Sequence, residues 1–127
     1  MWTDVAPFYF EFHWDNRAVW ALDLEVERLD RTELDWHLDR PFWSTRPPQP
    51  LFDLRPRDVL RDGSVHEVHA ERIRVADLRY PLDVMQCRGR LAILDGIHRL
   101  ARLESEGADE VRVRRVPRAL IPRILRS

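Results

Sequence analysis

The run Leu82-Asp83-Val84-Met85-Gln86-Cys87-Arg88-Gly89-Arg90-Leu91-Ala92-Ile93-Leu94-Asp95-Gly96-Ile97-His98-Arg99 passes from one local pattern to another several times in a short span. Leu82–Cys87 and Arg90–Leu94 are short apolar stretches rich in branched side chains, which predicts two strands. Arg88-Gly89 sits between them as a two-residue hairpin turn. Asp95-Gly96 is a second turn, and Ile97 to Glu106 follows with Leu100, Ala101 and Leu103 at helical spacing. Gly107 stands where a helix hands over to a left-handed residue. Val111 and Val113 predict a further strand, with Val116 at its end.

Upstream, Pro56 suits the first position of a helix, Asp58 suits its first turn, and Asp62-Gly63 ends it. Val65 to Leu78 is expected to be helical, with Val65, Val68, Ile73 and Ala76 near the 3.6 period and Pro81 closing it. Residues 41–50 hold four of the nine prolines and predict an irregular connector. Residues 8–26 alternate: Phe8, Phe10 and Phe12, then Trp20, Leu22, Leu24 and Val26, with Asp15-Asn16 between them. That predicts a hairpin. Leu34 to Leu38 is expected to form one helical turn that positions Trp36, and Pro117–Leu125 a short last helix broken at Pro122. The resulting expectation is a single α+β domain over residues 1–127. It has a small mixed sheet with helices on one face and a β-rich N-terminal extension over about residues 1–50.

Composition narrows the chemistry. The chain has 127 residues, 34% of them charged and 44% hydrophobic, with a net charge of −1. This describes a folded domain rather than a disordered polyelectrolyte. All 21 basic residues are arginine. A lysine-dependent phosphate loop, a Schiff base and a lysine general base are therefore excluded. Cys87 is the only cysteine, which excludes an internal disulfide and an all-cysteine metal cage. Its place on a strand suggests a packed, inert thiol. Met1-Trp2-Thr3-Asp4 lacks the start of a secretory signal, and no apolar run approaches a membrane span, so a cytoplasmic protein is expected.

The pattern with chemical content is Asp95-Gly96-Ile97-His98-Arg99. Glycine permits a sharp turn and close ligand approach, and the first amides of the following helix attract anions. His98 and Arg99 in the first turn oppose the helix dipole unless an anion is present. They are expected to bind phosphate, with Gly96 lending its backbone. Asp95 is expected to cap the helix or hold magnesium on the phosphates. His66 and His69 share a helix face but lack enough converging ligands for a metal. His13 and His37, beside Trp14 and Trp36, suggest surface or interface features. The five tryptophans within the first 43 residues suggest core packing, with an aromatic patch for a base, ligand or partner chain as the other reading.

Leu82-Asp83-Val84, then Gly89 through Ala101, then Glu110-Val111-Arg112-Val113-Arg114, resemble the ParB N-terminal/sulfiredoxin superfamily over about residues 65–116. The resemblance implies a nucleotide site: CTP in ParB, ATP in sulfiredoxin, ADP in the free serine kinases. It assigns Gly96, His98 and Arg99 to the phosphate-binding turn. Asp95 matches the acid before the glycine in the kinase-like members. Ile97 stands where sulfiredoxin has its catalytic cysteine, which speaks against sulfinic-acid reduction. Ile97 and His98 replace residues of the ParB turn, and no helix-turn-helix follows residue 116.

The function expected is nucleotide or phosphate binding with Mg2+, extending to phosphotransfer onto a small molecule. Asp95 and Asp83 are the catalytic acids; Asp83 is chosen because its strand pairs with the strand ending at Asp95. The alternatives are a nucleic-acid-associated module, or an interaction protein that has lost the nucleotide. Residues 112–127 carry six arginines and no acid. They would give weak, non-specific nucleic-acid binding. A homodimer is the other partner expected; a membrane is not.

Overall fold

The hairpin forms where its turn chemistry places it. Arg88 and Gly89 both take positive φ, 51° and 88°. Two such residues give the turn twist that matches flanking strands. In the computed structural model, which describes residues 9–126, strands β1 (Val26–Asp30), β2 (Leu82–Cys87), β3 (Arg90–Asp95) and β4 (Glu110–Arg115) form one sheet in the order β1-β4-β2-β3. β2 and β3 pair antiparallel, β2 and β4 parallel, and β1 and β4 antiparallel. The sheet is thus small and mixed, and the fold is α+β. Readings that rest on Met1–Asp4 and Phe8 lie outside the described residues.

Helices α1 (Asn16–Trp20), α2 (Pro56–Arg61), α3 (Glu67–Arg74), α4 (Ile97–Ser105) and α5 (Ile121–Ile124) complete the fold, with single 3-10 turns at Arg31–Glu33, Asp35–Asp39 and Arg118–Leu120. Strand alternation sorts the core into two layers. Leu82, Val84, Leu91, Ile93, Val111 and Val113 face Val59 of α2, Ile73 of α3, and Leu100 and Ala101 of α4. On the other face Met85, Cys87, Ala92 and Leu94 meet Val19 of α1, Ile124 of α5, Tyr9 and Phe10. The helical layer expected on one face is that of α2, α3 and α4. The second face also carries helices, α1 and α5, which close it together with Tyr9 and Phe10. No helix among the described residues is long and apolar enough to cross a membrane.

Several local expectations are corrected. Residues 9–20 are not the first half of a hairpin. The Asp15 side chain accepts the Arg17 amide at 2.9 Å and caps α1 instead of making a turn. Tyr9 and Phe10 are both buried, so the aromatic run is wedged against the sheet rather than paired in it. β1 is the only strand between residues 9 and 50. α3 is shorter than expected and buries His69 and Ile73, leaving Val65, Val68 and Val75 exposed. Pro122 lies in the first turn of α5, where it starts a helix rather than breaking one. α4 ends as anticipated: the Gly107 amide donates to Glu104 O and the Ala108 amide to Leu103 O, with Gly107 at φ 71°.

The outer edge of β3 is covered by side chains. Trp36 Nε1 donates to Leu91 O at 3.1 Å, the Ile93 amide donates to His37 Nε2 at 2.9 Å, and Trp14 Nε1 donates to Leu94 O at 3.0 Å. His37 is fully buried rather than at the surface. Its Nδ1–H donates to Leu34 O at 2.7 Å, leaving Nε2 as the acceptor. Burial pushes its pKa down to about 3. His13 is exposed.

Candidate functional site

β3 carries one extra residue near its end: Val84 pairs with Ile93, and Asp83 pairs with Asp95. Such a bulge re-aims a side chain. Leu94 points into the second core layer, and Asp95 is set opposite Asp83 on the same face of the sheet. Each acid then meets an arginine. Arg114, beside Asp83 in the parallel β2–β4 register, donates from Nε to Asp83 Oδ1 at 2.7 Å. Its other nitrogens donate to Leu22 O and Val19 O at 2.7 and 2.9 Å, which ties the end of α1 to the sheet. Asp95 Oδ2 accepts from Arg99 Nη2 at 3.0 Å and from Trp20 Nε1 at 2.7 Å. Arg99 Nη1 donates to Pro81 O at 2.6 Å and Tyr80 O at 3.2 Å.

Asp83 is 3% exposed. Burial raises its pKa above the ordinary carboxylate value; the Arg114 bond opposes this and the charge of Asp95 adds to it. These two ion pairs floor a cleft of about 640 Å3 walled by Trp20, Val26, Tyr80 and Pro81. A second cavity of about 410 Å3 lies over the first turn of α4, between Gly96–Arg99 and Arg72. Asp77, Asp95 and Arg99 line both, so the two spaces adjoin.

Gly96 makes that junction. It sits at φ 122°, and a Cβ there would come within 2.7 Å of Leu82 Cγ. No side chain caps α4, and its first turn holds no acid. The first-turn amides therefore keep their pull on an anion.

His98 takes a different place from the other expected residues. Its ring lies 4.2 Å from Trp43, stacked at 12°, and 3.2 Å separates its Nε2 from His69 Nδ1. His69 Nε2 donates to Ser44 O at 2.9 Å, so its Nδ1 is the acceptor and His98 Nε2–H the donor. Burial, with the neighbouring His69 and Arg72, lowers the His98 pKa to about 3. At neutral pH His98 is an uncharged wall of the second cavity. The structure thus brings Asp83, Asp95, Gly96 and Arg99 together and directs His98 into an aromatic stack. It adds Trp20, Arg72, Tyr80 and Arg114, which the sequence reading did not assign to the site. The one signal for Arg114 was its strand alternation with Val113.

Among the described residues no cluster of three or more His, Cys, Asp or Glu could hold a metal. Magnesium is commonly held by one or two carboxylates together with substrate phosphates. Asp95 and Asp83 offer two carboxylates, each already bonded to an arginine, and no cage. Cys87 is buried, and burial raises its thiol pKa. Most of the C-terminal arginines are engaged within the fold. Arg112 donates to Arg79 O, Arg115 pairs with Glu27 at 2.8 Å, and Arg118 pairs with Glu11 at 2.7 Å. Compared with known proteins, the chain matches no family model, no curated protein and no solved structure.

Proposed function

We propose that the adjoining cavities bind a nucleotide with its phosphates over the first turn of α4, and that the site supports phosphoryl transfer to a small molecule. The observation that carries this reading is the sharing of Asp95 and Arg99 between the two cavities. Two carboxylates, Asp77 and Asp95, two guanidiniums, Arg72 and Arg99, and a run of helix amides all border one space. Arg99 has five N–H donors, and three are used on Pro81 O, Tyr80 O and Asp95. Nε–H and one Nη2–H remain to meet phosphate oxygens. Asp95 Oδ1 would hold magnesium, which when bound neutralises phosphate charge.

Asp83 is the second acid of the larger cleft; it is buried, bonded to Arg114 and does not border the space over α4, so in this reading it holds Arg114 and the end of α1 in place. The acceptor hydroxyl oxygen forms a bond to the terminal phosphorus as the bond to the bridging oxygen breaks, releasing the shortened nucleotide, and the hydroxyl proton passes to solvent.

Thermal unfolding in the presence of ATP, ADP or CTP, with and without Mg2+, tests the binding. At least one of them is expected to raise Tm, and to raise it further with Mg2+. Arg99→Ala is expected to weaken that binding by about 1.5–3 kcal/mol, the range for a charged hydrogen bond. A folded Arg99→Ala protein with unchanged affinity, or the absence of any Tm shift with all three nucleotides, overturns the reading.

A further inference from the structure

Among the described residues, the large apolar side chains left exposed include Trp20 at 56%, Val26 at 49% and Tyr80 at 62%, and these three line one cleft. Apolar surface concentrated in a walled, polar-floored cleft marks a ligand site. Neither aromatic ring sits on slack chain. Trp20 is anchored through its indole N–H to Asp95, and the carbonyls of Val19 and Leu22 beside it are held by Arg114. The Tyr80 amide donates to Asp77 O, its carbonyl accepts from Arg99, and the Arg79 guanidinium lies 5.9 Å from its ring. The two ion pairs on the floor thus fix the backbones that carry both rings. Pre-set aromatic walls lower the ordering cost of stacking a flat ligand.

Resting on the nucleotide reading above, we infer that the cleft walled by Trp20 and Tyr80 holds the planar base of that nucleotide, and that these two side chains supply its stacking contacts. The cleft and the space over α4 share Asp77, Asp95 and Arg99 on their walls, so a molecule with a flat ring and a phosphate chain would reach from one to the other across the Asp95–Arg99 pair. Stacking uses the ring face that every base has. Trp20 and Tyr80 therefore set the preference for a nucleotide over a bare polyphosphate, and do little to separate one base from another.

Calorimetric titration of the full chain with ATP, CTP and inorganic tripolyphosphate, all with Mg2+, tests this. ATP and CTP are expected to bind about 5- to 150-fold more tightly than tripolyphosphate, the range for stacking one base. Tyr80→Ala, which leaves the Trp20–Asp95 bond untouched, is expected to shrink that ratio several-fold without changing tripolyphosphate affinity. Trp20→Ala is expected to shrink the ratio as well, and Trp20→Phe, which lacks the bond to Asp95 but keeps a ring, to restore most of it. Equal binding of ATP and tripolyphosphate, or an unchanged ratio in a folded Tyr80→Ala protein, overturns the base clamp while leaving the phosphate end of the site standing. If none of the three probes binds, the nucleotide reading falls and the clamp falls with it.

Discussion

Gly96 shows how much of the site one residue decides. Its φ of 122° lies where a side chain is strained, and the missing Cβ makes room for Leu82. Gly96→Ala is expected to cost about 2–6 kcal/mol, the strain of the backbone plus the overpacking of Leu82. Urea unfolding at neutral pH measures it; a midpoint equal to that of the unaltered chain would contradict the expectation. Asp95, Gly96 and Arg99 were legible in the sequence because a turn and a helix start are set by a few consecutive residues. Trp20 and Arg114 were not, because their partners, Asp95 and Asp83, are brought to them by the sheet and not by spacing. Arg114 read as one of a row of solvent-facing arginines, and only the parallel register of β2 and β4 shows it bonded to a buried acid.

At the scale of elements, β2, β3, α4 and β4 were legible because periodicity, turn residues and helix ends agree with one another there. The N-terminal hairpin failed because alternation was the only signal, and Asp15 used its carboxylate to start a helix. The buried histidines failed for a related reason. Nothing local to His37 announces that its Nε2 accepts from a strand far along the chain. That placement has a pH signature. His37 and His98 have pKa values of about 3 in the folded chain, against 6.5 for the free side chain. Between those values the unfolded chain binds more protons, so stability rises with pH. The stabilisation is complete above about pH 6.5 and is lost as pH falls towards 3, at up to about 1.4 kcal/mol per pH unit for each histidine. His69 is shifted in the same direction, whereas the raised pKa of Asp83 works the opposite way above pH 3.8 and offsets part of the loss. Urea midpoints are expected to drop steadily from neutral pH to pH 5, and His37→Gln to flatten that slope. A pH-independent midpoint would remove the neutral-histidine assignment.

For the whole molecule, the uneven charge resolves into internal pairing. Residues 1–60 hold 12 acids and 7 arginines, and residues 61–127 hold 10 acids and 14 arginines. The pairs Arg115–Glu27 and Arg118–Glu11 take up part of the C-terminal excess by joining the acidic half to the basic half, while Arg114–Asp83 pairs within the basic half. Four of the six C-terminal arginines, Arg112, Arg114, Arg115 and Arg118, are engaged within the fold and are not free to track a phosphate backbone. Duplex DNA is expected to bind weakly and without sequence preference, with a log–log salt slope no steeper than about −3. Gel-shift titrations from low to high salt measure it, and a sequence-selective complex that survives high salt would contradict it. The capped edge of β3 bears on the same union of halves. Trp14, Trp36 and His37 occupy the hydrogen-bonding positions that a fifth strand would otherwise take. An uncovered row of strand amides and carbonyls invites another chain to add itself. The N-terminal segment therefore serves as a built-in stopper, ending the growth of the sheet with three side chains and no further strand.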